Sequence, residues 1–284
     1  MILVTGAGGK TGQAVVDALV AKGANVRAWL RRDMPTNNAT ETLVGDMTSQ
    51  SDWTQAMVGI HKVYHICPNM HPDEINIGQL ALQAGQEANI SHFVYHSVLH
   101  PQTQKMPHHW NKLRVEEMLF ESGLSFTILQ PTAYIQNILP QWKTIQETGL
   151  FTMPYPVTTK ICLVDLADVA EVAAKVLMEA GHEGATYELV GTAALSQVAV
   201  ADVLSQLIGR TVTAHETPLE EWQQNARKAG LSDYTIETLS AMFRYYADYG
   251  LIGNANCLRY LLSREPNTLQ PCFDKQILVE SGNG

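Results

Sequence analysis

The feature that most constrains the fold lies at the start of the sequence, where an apolar run leads directly into a glycine-rich turn. Residues 2–4 predict a buried β-strand, and a helical pattern follows the turn. Gly6, Gly9 and Gly12 are spaced three residues apart, which differs from the G-x-G-x-x-G spacing of many dehydrogenases. Such a turn lets backbone N–H groups and the positive end of a helix dipole face a pyrophosphate. We expect the phosphate-binding residues to be Gly6, Gly9, Lys10, Thr11 and Gly12. The alternative is a plain loop that only connects a strand to a helix.

Charge and cysteine content exclude several classes of protein. The sequence has 19 Lys and Arg against 28 Asp and Glu, a formal net charge of −9. An acidic surface argues against nucleic acid or an anionic membrane as the main partner. The four cysteines form neither a C-x-x-C pair nor a zinc-type spacing, so we expect reduced thiols and no metal site. A first strand at residue 2 leaves no room for a signal peptide, and no apolar run has membrane-spanning length. These observations favour a cytoplasmic location.

Strand and helix patterns alternate through the first half of the sequence. Short strands separated by amphipathic helices predict an α/β fold with a doubly wound parallel (Rossmann) sheet. The predicted dinucleotide-binding domain covers residues 1–155, with an extension of the sheet from about 160–190. The later sequence is mostly helical and predicts a smaller C-terminal substrate lobe over residues 191–284. Ligands of such folds bind at the carboxyl ends of the strands.

Two arginines, Arg31 and Arg32, follow the second predicted strand. In a dinucleotide fold this strand end meets the adenosine ribose, where an acidic residue marks NAD and an arginine accommodates the 2′-phosphate of NADP. The pair therefore favours NADP(H). The alternative is a solvated surface pair.

Other candidate residues also follow strand ends. Asp46 comes after the third predicted strand and either accepts a hydrogen bond from the adenine amino group, with Met47 packed on the ring, or caps the next helix. Cys67 is predicted to be a small packed residue rather than a reactive thiol, because no basic neighbour would lower its pKa. The residues expected to line the nicotinamide half of the site are Cys67, Pro68, Ser97 and Val98.

The segment from residue 108 to residue 112 contains two histidines and a lysine and leads into a helix predicted over residues 111–122. Lys112 would begin that helix, where the dipole opposes a positive charge, so a ligand role such as bonding to ribose hydroxyls is plausible. The alternative is an exposed lysine. The adjacent His108 and His109 are either acid–base residues or solvated loop residues.

These features together resemble the NmrA-like branch of the atypical short-chain dehydrogenases/reductases, nearest its NADPH-dependent quinone reductases and its triphenylmethane or azo dye reductases. The resemblance extends over nearly the whole chain. The segments that carry it are residues 4–12, 31–32, 45–46, 112–117, 121–131, 164–170, 183–189 and 263–268. Residues 97–100 and 179–184 resemble the quinone reductases in particular.

The resemblance implies an NADPH-dependent reductase that acts on a conjugated, quinone-like or aromatic small molecule. In ordinary short-chain dehydrogenases a Tyr-x-x-x-Lys pair is catalytic; Lys112 matches the Lys, but His108 stands at the Tyr position. Alcohol or ketone chemistry is therefore disfavoured, whereas a quinone needs only hydride because water can protonate the resulting anion. Lys112 and His108 are the candidate catalytic residues. Candidate substrate contacts in the C-terminal part are Tyr134, Asn137 and Phe151, although core packing is the simpler explanation for each of them taken singly.

Two other functions stay open at this point. An NADP(H)-binding redox sensor without turnover fits the missing Tyr, and it would report to a regulatory protein partner. A sugar-nucleotide epimerase-like enzyme shares the glycine signature but needs the Tyr. A homodimer is also left open.

Overall fold

Apart from two consecutive strands at Val26–Leu30 and Glu41–Val44, strands and helices alternate through the first 131 residues, as the sequence predicts. The computed structural model describes residues 1–35 and 38–273. The elements of this region are β1 (Ile2–Val4), α1 (Lys10–Ala21), β2 (Val26–Leu30), β3 (Glu41–Val44), α2 (Gln50–Ala56), β4 (Lys62–His65), α3 (Glu74–Glu87), β5 (His92–His96), α4 (Pro107–Glu121) and β6 (Phe126–Pro131).

The remainder of the described chain is less regular. Two short 3₁₀ helices, Ile135–Asn137 and Leu139–Gln141, precede α5. The other elements are β7 (Ala133–Tyr134), α5 (Trp142–Thr148), β8 (Leu150–Met153), β9 (Lys160–Ile161), β10 (Leu163–Val164), α6 (Leu166–Met178), β11 (Ala185–Leu189), β12 (Leu195–Ser196), α7 (Gln197–Ile208), β13 (Thr213–Glu216), α8 (Leu219–Lys228), α9 (Asp233–Tyr249) and α10 (Asn256–Leu262).

One sheet organises the nucleotide-binding half. Its order is β11-β6-β5-β4-β1-β2-β3 among the described residues, and β1 to β6 pair in parallel. The chain therefore moves outward from β1 in one direction to β3 and then returns to β4 on the other side. That reversal is the topological switch point of a doubly wound fold. The predicted fold class is confirmed.

Both faces of this sheet are covered. Leu3, Val63 and Phe93 point to one face, where they pack with residues of α2, α3 and α4. Their neighbours Val4 and Tyr64 point to the opposite face because side chains alternate along a strand. All five side chains are fully buried. Burial on both faces requires helices on both sides and explains why these strands read as continuous apolar runs.

The chain divides into two compact units whose boundaries differ from the predicted 1–155 and 191–284. The first consists of residues 1–131 and 169–188, and the second of residues 132–168 and 189–284. The second unit therefore starts directly after β6, earlier than the sequence pattern indicates. Its short strands β7, β8, β9 and β10 lack the length that makes a periodic pattern recognisable. α7, α8, α9 and α10 belong to this second unit, in agreement with a mostly helical C-terminal lobe.

A close approach of α3 and α4 fixes the helices that carry the candidate site. A Cβ built on Gly78 of α3 would lie 2.6 Å from Val115 Cγ2 and 2.8 Å from Val115 Cγ1 of α4. Such distances cannot be accommodated without movement of one helix. Glycine at position 78 therefore sets the separation of α3 and α4.

We expect Gly78→Ala to lower the free energy of unfolding by about 1–3 kcal/mol, the usual cost of overpacking a core. Urea denaturation of the parent and the variant measures this change in the free energy of unfolding. Val115→Ala removes both clashing methyl groups, so the double variant should be more stable than the sum of the two single effects predicts. A Gly78→Ala protein as stable as the parent would show that α3 and α4 can move apart without a loss of stability.

Candidate active site

The glycine turn after β1 contains two glycines that the fold itself requires. Gly6 has a φ of +60°, and a Cβ there would lie 2.7 Å from Ile66 Cγ2. A Cβ on Gly12 would lie 2.3 Å from the Gly6 carbonyl oxygen. Gly6 thus lets the ends of β1 and β4 approach, and Gly12 lets α1 pack on the turn.

Gly9 has no such structural reason to be glycine. It is the N-cap of α1, it is exposed, and a Cβ there would meet only the Gly6 carbonyl oxygen at an ordinary 3.4 Å. No side chain caps this helix end, and no acidic residue lies in its first turn, which begins with Lys10, Thr11 and Gly12. The first amides of a helix have no intrahelical acceptor, so this end presents donors and a positive dipole. The turn fits the phosphates of a dinucleotide.

The arginines after β2 have different surroundings from the arginine within it. Arg27 is occupied, because it pairs with Glu41 at 2.5 Å and donates to the Ala56 and Val58 carbonyl oxygens. Arg31 and Arg32 directly follow the strand and are exposed. Within residues 1–35 and 38–273, neither makes a hydrogen bond or an ion pair. Both guanidinium groups are therefore available to an anionic ligand such as a 2′-phosphate.

Asp46 does not cap the next helix, which corrects one of its two predicted roles. Ser49 is the N-cap of α2 and accepts from the Asp52 amide. Asp46 is exposed, and its Oδ1 accepts from the Thr48 amide at 2.9 Å and the Thr48 hydroxyl at 2.8 Å. These hydrogen bonds lower the pKa of Asp46 and hold the carboxylate ionised. Met47 is buried, and its carbonyl oxygen accepts from Trp53 Nε1.

Helix α4 begins at Pro107, four residues earlier than predicted. Proline suits the first helical position because its missing N–H would have no partner there. Lys112 therefore lies in the second turn, and the argument from an unfavourable dipole is wrong. His108 and His109 lie in the first turn and are buried, so solvated loop histidines are excluded. His108, Lys112 and Glu116 follow one another at intervals of four and share one face of α4.

Lys112 is held by a buried carboxylate, Glu74, which is not among the site residues predicted from the sequence. Lys112 Nζ donates to Glu74 Oε1 of α3 at 2.6 Å and lies 3.4 Å from the His96 carbonyl oxygen at the end of β5. Its ammonium also lies 5.6 Å from the centre of the Tyr95 ring. The Glu74 side chain is 2% exposed and that of Lys112 is 15% exposed. Lys112 is therefore fixed at the carboxyl ends of the central strands.

His108 is a neutral imidazole. Its ring is buried, its Nδ1 has no partner within the described part of the chain, and the His109 ring lies 4.5 Å away, centre to centre. Burial, reinforced by His109 and Lys112, lowers the pKa of His108 to about 2. His109 Nδ1 lies 3.2 Å from the His100 carbonyl oxygen, and burial lowers the pKa of His109 to about 4. At neutral pH each ring keeps one N–H for hydrogen bonding, but neither is the imidazolium that would serve as a general acid.

The predicted nicotinamide-side residues lie at two neighbouring strand ends. Cys67 is buried, and burial together with Glu74 raises its thiol pKa far above the usual range, which leaves it a packed thiol. Pro68 and Val98 are half-buried beside Cys67 and Ser97, respectively. Ser97 Oγ donates to the buried Glu116, which also accepts from Gln130 Nε2 at 2.9 Å. Burial raises the pKa of Glu116 in spite of these donors.

The candidate substrate residues all belong to the second unit. Tyr134 ends β7 and is half-buried, Asn137 ends a 3₁₀ helix and is exposed, and Phe151 is buried in β8. Their assignment as substrate contacts stays a prediction.

Metal-binding clusters and membrane-spanning helices are two features on which the described residues bear. Residues 1–35 and 38–273 contain no group of three His, Cys, Asp or Glu side chains suited to a metal ion. Among the same residues, no helix combines the length and apolar character needed to cross a membrane.

The sequence did not predict Glu74 and Glu116 as site residues, because an acidic residue in a helical pattern usually indicates a solvent-exposed position. A signal for Glu74 was nevertheless present. It lies at helical spacing from the apolar positions 77, 78 and 81 of α3, on the face that the structure buries. A carboxylate on an apolar helix face needs a partner, and Lys112 is the cation that supplies it.

The fold and the glycine turn define a Rossmann-type dinucleotide-binding protein. The model of the NmrA-like family matches residues 1–277, so the chain belongs to the NmrA-like family, as the sequence predicts.

Three relatives support this placement. An NAD(P)H azoreductase of Xenophilus azovorans is 29% identical over 253 residues, which are 86% of each chain. Quinone oxidoreductase 2 of Escherichia coli is 27% identical over 277 residues, 95% of this chain and 96% of its own. Its crystal structure with NADPH superposes with a TM-score of 0.84 at 25% identity, covering 98% and 100% of the two chains. The NADP(H) complex of Citrobacter sp. triphenylmethane reductase has the same fold, with a TM-score of 0.84 at 22% identity over 95% and 98%.

We expect Gly9→Ala to weaken NADPH binding while the protein stays folded, because the new Cβ has room in the protein but faces the phosphates. Fluorescence titration of NADPH, with thermal unfolding measured alongside, checks this expectation. Gly12→Ala serves as the contrast, since its Cβ would meet the Gly6 carbonyl oxygen and should destabilise the fold itself. Unchanged NADPH affinity in the folded Gly9→Ala protein would remove the turn as the phosphate site.

Proposed function

We propose that this protein is an NADPH-dependent reductase that transfers hydride to a flat, conjugated acceptor such as a quinone or a dye. The observation that carries the proposal is Lys112, fixed at the carboxyl end of β5, two strands from the glycine turn. The position suits a lysine that binds the nicotinamide ribose. Relatives that cover 86% and 95% of the chain are an azoreductase and a quinone oxidoreductase, respectively.

By class, the chain is an NAD(P)H-dependent oxidoreductase. The E. coli relative carries NADPH in its crystal structure, and this chain has the same fold with a turn suited to phosphates. The residues that would hold the cofactor are the turn from Gly6 to Gly12, Arg31 and Arg32 at the 2′-phosphate, and Lys112 at the nicotinamide ribose. Bound NADPH supplies the hydride. The protein contributes position and electrostatics.

The surroundings of the site favour an acceptor whose reduction needs no proton-donating side chain. His108 occupies the place of the usual Tyr, and its neutral ring is a poor proton donor at pH 7. A quinone that takes up hydride becomes a stabilised hydroquinone anion, and water can provide the second hydrogen as a proton. An alcohol or ketone reaction would require the missing acid. A conjugated acceptor therefore fits this site best.

A redox sensor is the second candidate, and the absence of the Tyr favours it. Such a protein would bind NADPH tightly, change conformation and report to a protein partner without oxidising the cofactor. The fixed Lys112 favours turnover, because a sensor has no need to orient the nicotinamide ring.

Several features belong to the proposal alone. They are the substrate contacts Tyr134, Asn137 and Phe151, the division into a nucleotide-binding and a substrate domain, a cytoplasmic location, and a homodimer or regulatory partner.

Replacing both Arg31 and Arg32 by Ala should abolish most of the preference for NADPH over NADH. Each charge-assisted contact to a 2′-phosphate contributes about 1.5–3 kcal/mol. Titrations of both cofactors into the parent and the double variant measure the preference. NADH affinity should hardly change, because NADH lacks the 2′-phosphate.

Lys22→Ala is the matched control, since it removes an exposed positive charge at the far end of α1. It should leave both affinities unchanged. A parent protein that binds NADH and NADPH equally would contradict the role given to the arginines.

Lys112→Ala should lower the rate of quinone reduction about 10-fold or more, through lost positioning of the nicotinamide ring. His108→Ala should matter much less, and no ionisation of His108 should appear in the pH–rate profile between about pH 5 and 9, because its pKa is about 2. Steady-state NADPH oxidation with a panel of quinones and dyes provides the measurement.

The same panel separates the two candidate functions. A folded, NADPH-saturated parent that oxidises the cofactor no faster than Lys112→Ala, with every acceptor, would favour the sensor.

A further inference from the structure

Glu74 is the acidic partner of Lys112, the lysine proposed to bind the ribose, and its burial is unusual. It lies at the start of α3 and is 2% exposed, although carboxylates are rarely buried unless they are paired. A fully desolvated ion pair is often no more stable than apolar packing in the same place. Stability alone therefore gives a weak reason for this pair.

The surroundings of Lys112 restrict its ammonium to one orientation. A lysine has three N–H donors. One points to Glu74 Oε1 at 2.6 Å and a second toward the His96 carbonyl oxygen at 3.4 Å. The Tyr95 ring lies 5.6 Å from the ammonium, and the Tyr95 hydroxyl lies 3.4 Å from the same Glu74 oxygen. Within the described residues, one N–H of Lys112 is left for a ligand.

The length and flexibility of lysine make such fixing necessary. A lysine side chain has four rotatable carbon–carbon bonds and no preferred direction for its charge. Gly78 brings α3 close to α4, which places Glu74 within reach of Lys112. The carboxylate therefore determines where the ammonium lies.

We infer that Glu74 is a positioning residue, which acts through Lys112 and directs its remaining N–H to the nicotinamide ribose of NADPH. The inference rests on the proposed function. Glu74 itself touches neither cofactor nor substrate. The competing explanation is that Glu74 only compensates a buried charge and has no effect on ligand binding beyond general stability.

The test compares two ligands in four proteins. NADPH and 2′,5′-ADP, which lacks the nicotinamide ribose, are titrated into the parent, Glu74→Gln, Lys112→Met and the double variant. Each single variant should bind NADPH about 10-fold more weakly, a typical coupling for groups in contact. The double variant should bind NADPH no more weakly than Lys112→Met. All four should bind 2′,5′-ADP within about 2-fold of one another.

One further protein, Glu87→Gln, and the double variant itself keep the result interpretable. Glu87→Gln removes an exposed carboxylate at the other end of α3 and should leave both affinities unchanged. The double variant contains neither member of the ion pair, so it should fold even where Glu74→Gln leaves an uncompensated lysine.

Three outcomes would overturn the inference. One is a Glu74→Gln protein that binds NADPH as the parent does, or more tightly. Another is additive losses in the double variant, which would mean that Glu74 does not act through Lys112. The third is an equal loss of 2′,5′-ADP affinity, which would indicate a purely structural role.

Failure of the proposed function is recognised separately. If the parent binds NADPH with the expected pattern but reduces no quinone or dye, hydride transfer is disproved and the positioning role stands. If the parent binds no NADPH, both are disproved.

Discussion

The approach of two strand ends at one glycine is the constraint on which the nucleotide-binding unit depends. β1 and β4 are neighbours in the sheet, but the chain leaves them toward opposite sides. At Gly6, with its φ of +60°, a side chain would run into Ile66 just after β4. A Cβ at this point would push the strand ends apart and distort the crevice in which such folds bind a dinucleotide. The same turn then delivers an uncapped helix end to that crevice, so topology and phosphate recognition have one origin.

A second constraint is the burial of charge beside the sheet. Lys112 and Glu74 compensate each other, whereas the histidines around them remain neutral. Burial, with a smaller contribution from the nearby ammonium of Lys112, lowers the pKa of both His65 and His96 to about 3. The site thus holds one fixed cation among neutral rings. Such an arrangement orients a ligand well and supplies protons poorly, which is the physical reason for preferring an acceptor that water can protonate.

The relatives of this chain include an azoreductase and a quinone oxidoreductase, so their acceptors differ. In this chain, the elements that favour NADPH and those that favour an acceptor are separated along the sequence. The residues proposed to hold the cofactor, in the turn and at Arg31 and Arg32, lie in the first unit, whereas the proposed substrate contacts Tyr134, Asn137 and Phe151 lie in the second. Local sequence signals are strong for the cofactor residues and weak for the substrate contacts, so the cofactor is easier to infer than the acceptor.

The sequence by itself determined the parallel sheet and its first six strands, the glycine turn, the paired arginines and the family, because each has a local signature. Period-two and period-3.6 patterns, turn residues and motif spacing all act within about a dozen residues. The start of α4 was placed four residues late, since Pro107 at a first helical position resembles a loop residue. Only the tertiary structure decided that Glu74 meets Lys112, that His108 is buried and neutral, and that the second unit begins at residue 132. Each of those facts depends on contacts between residues distant in the chain, because a local pattern can mark a buried helix face but cannot name the partner that a side chain meets there.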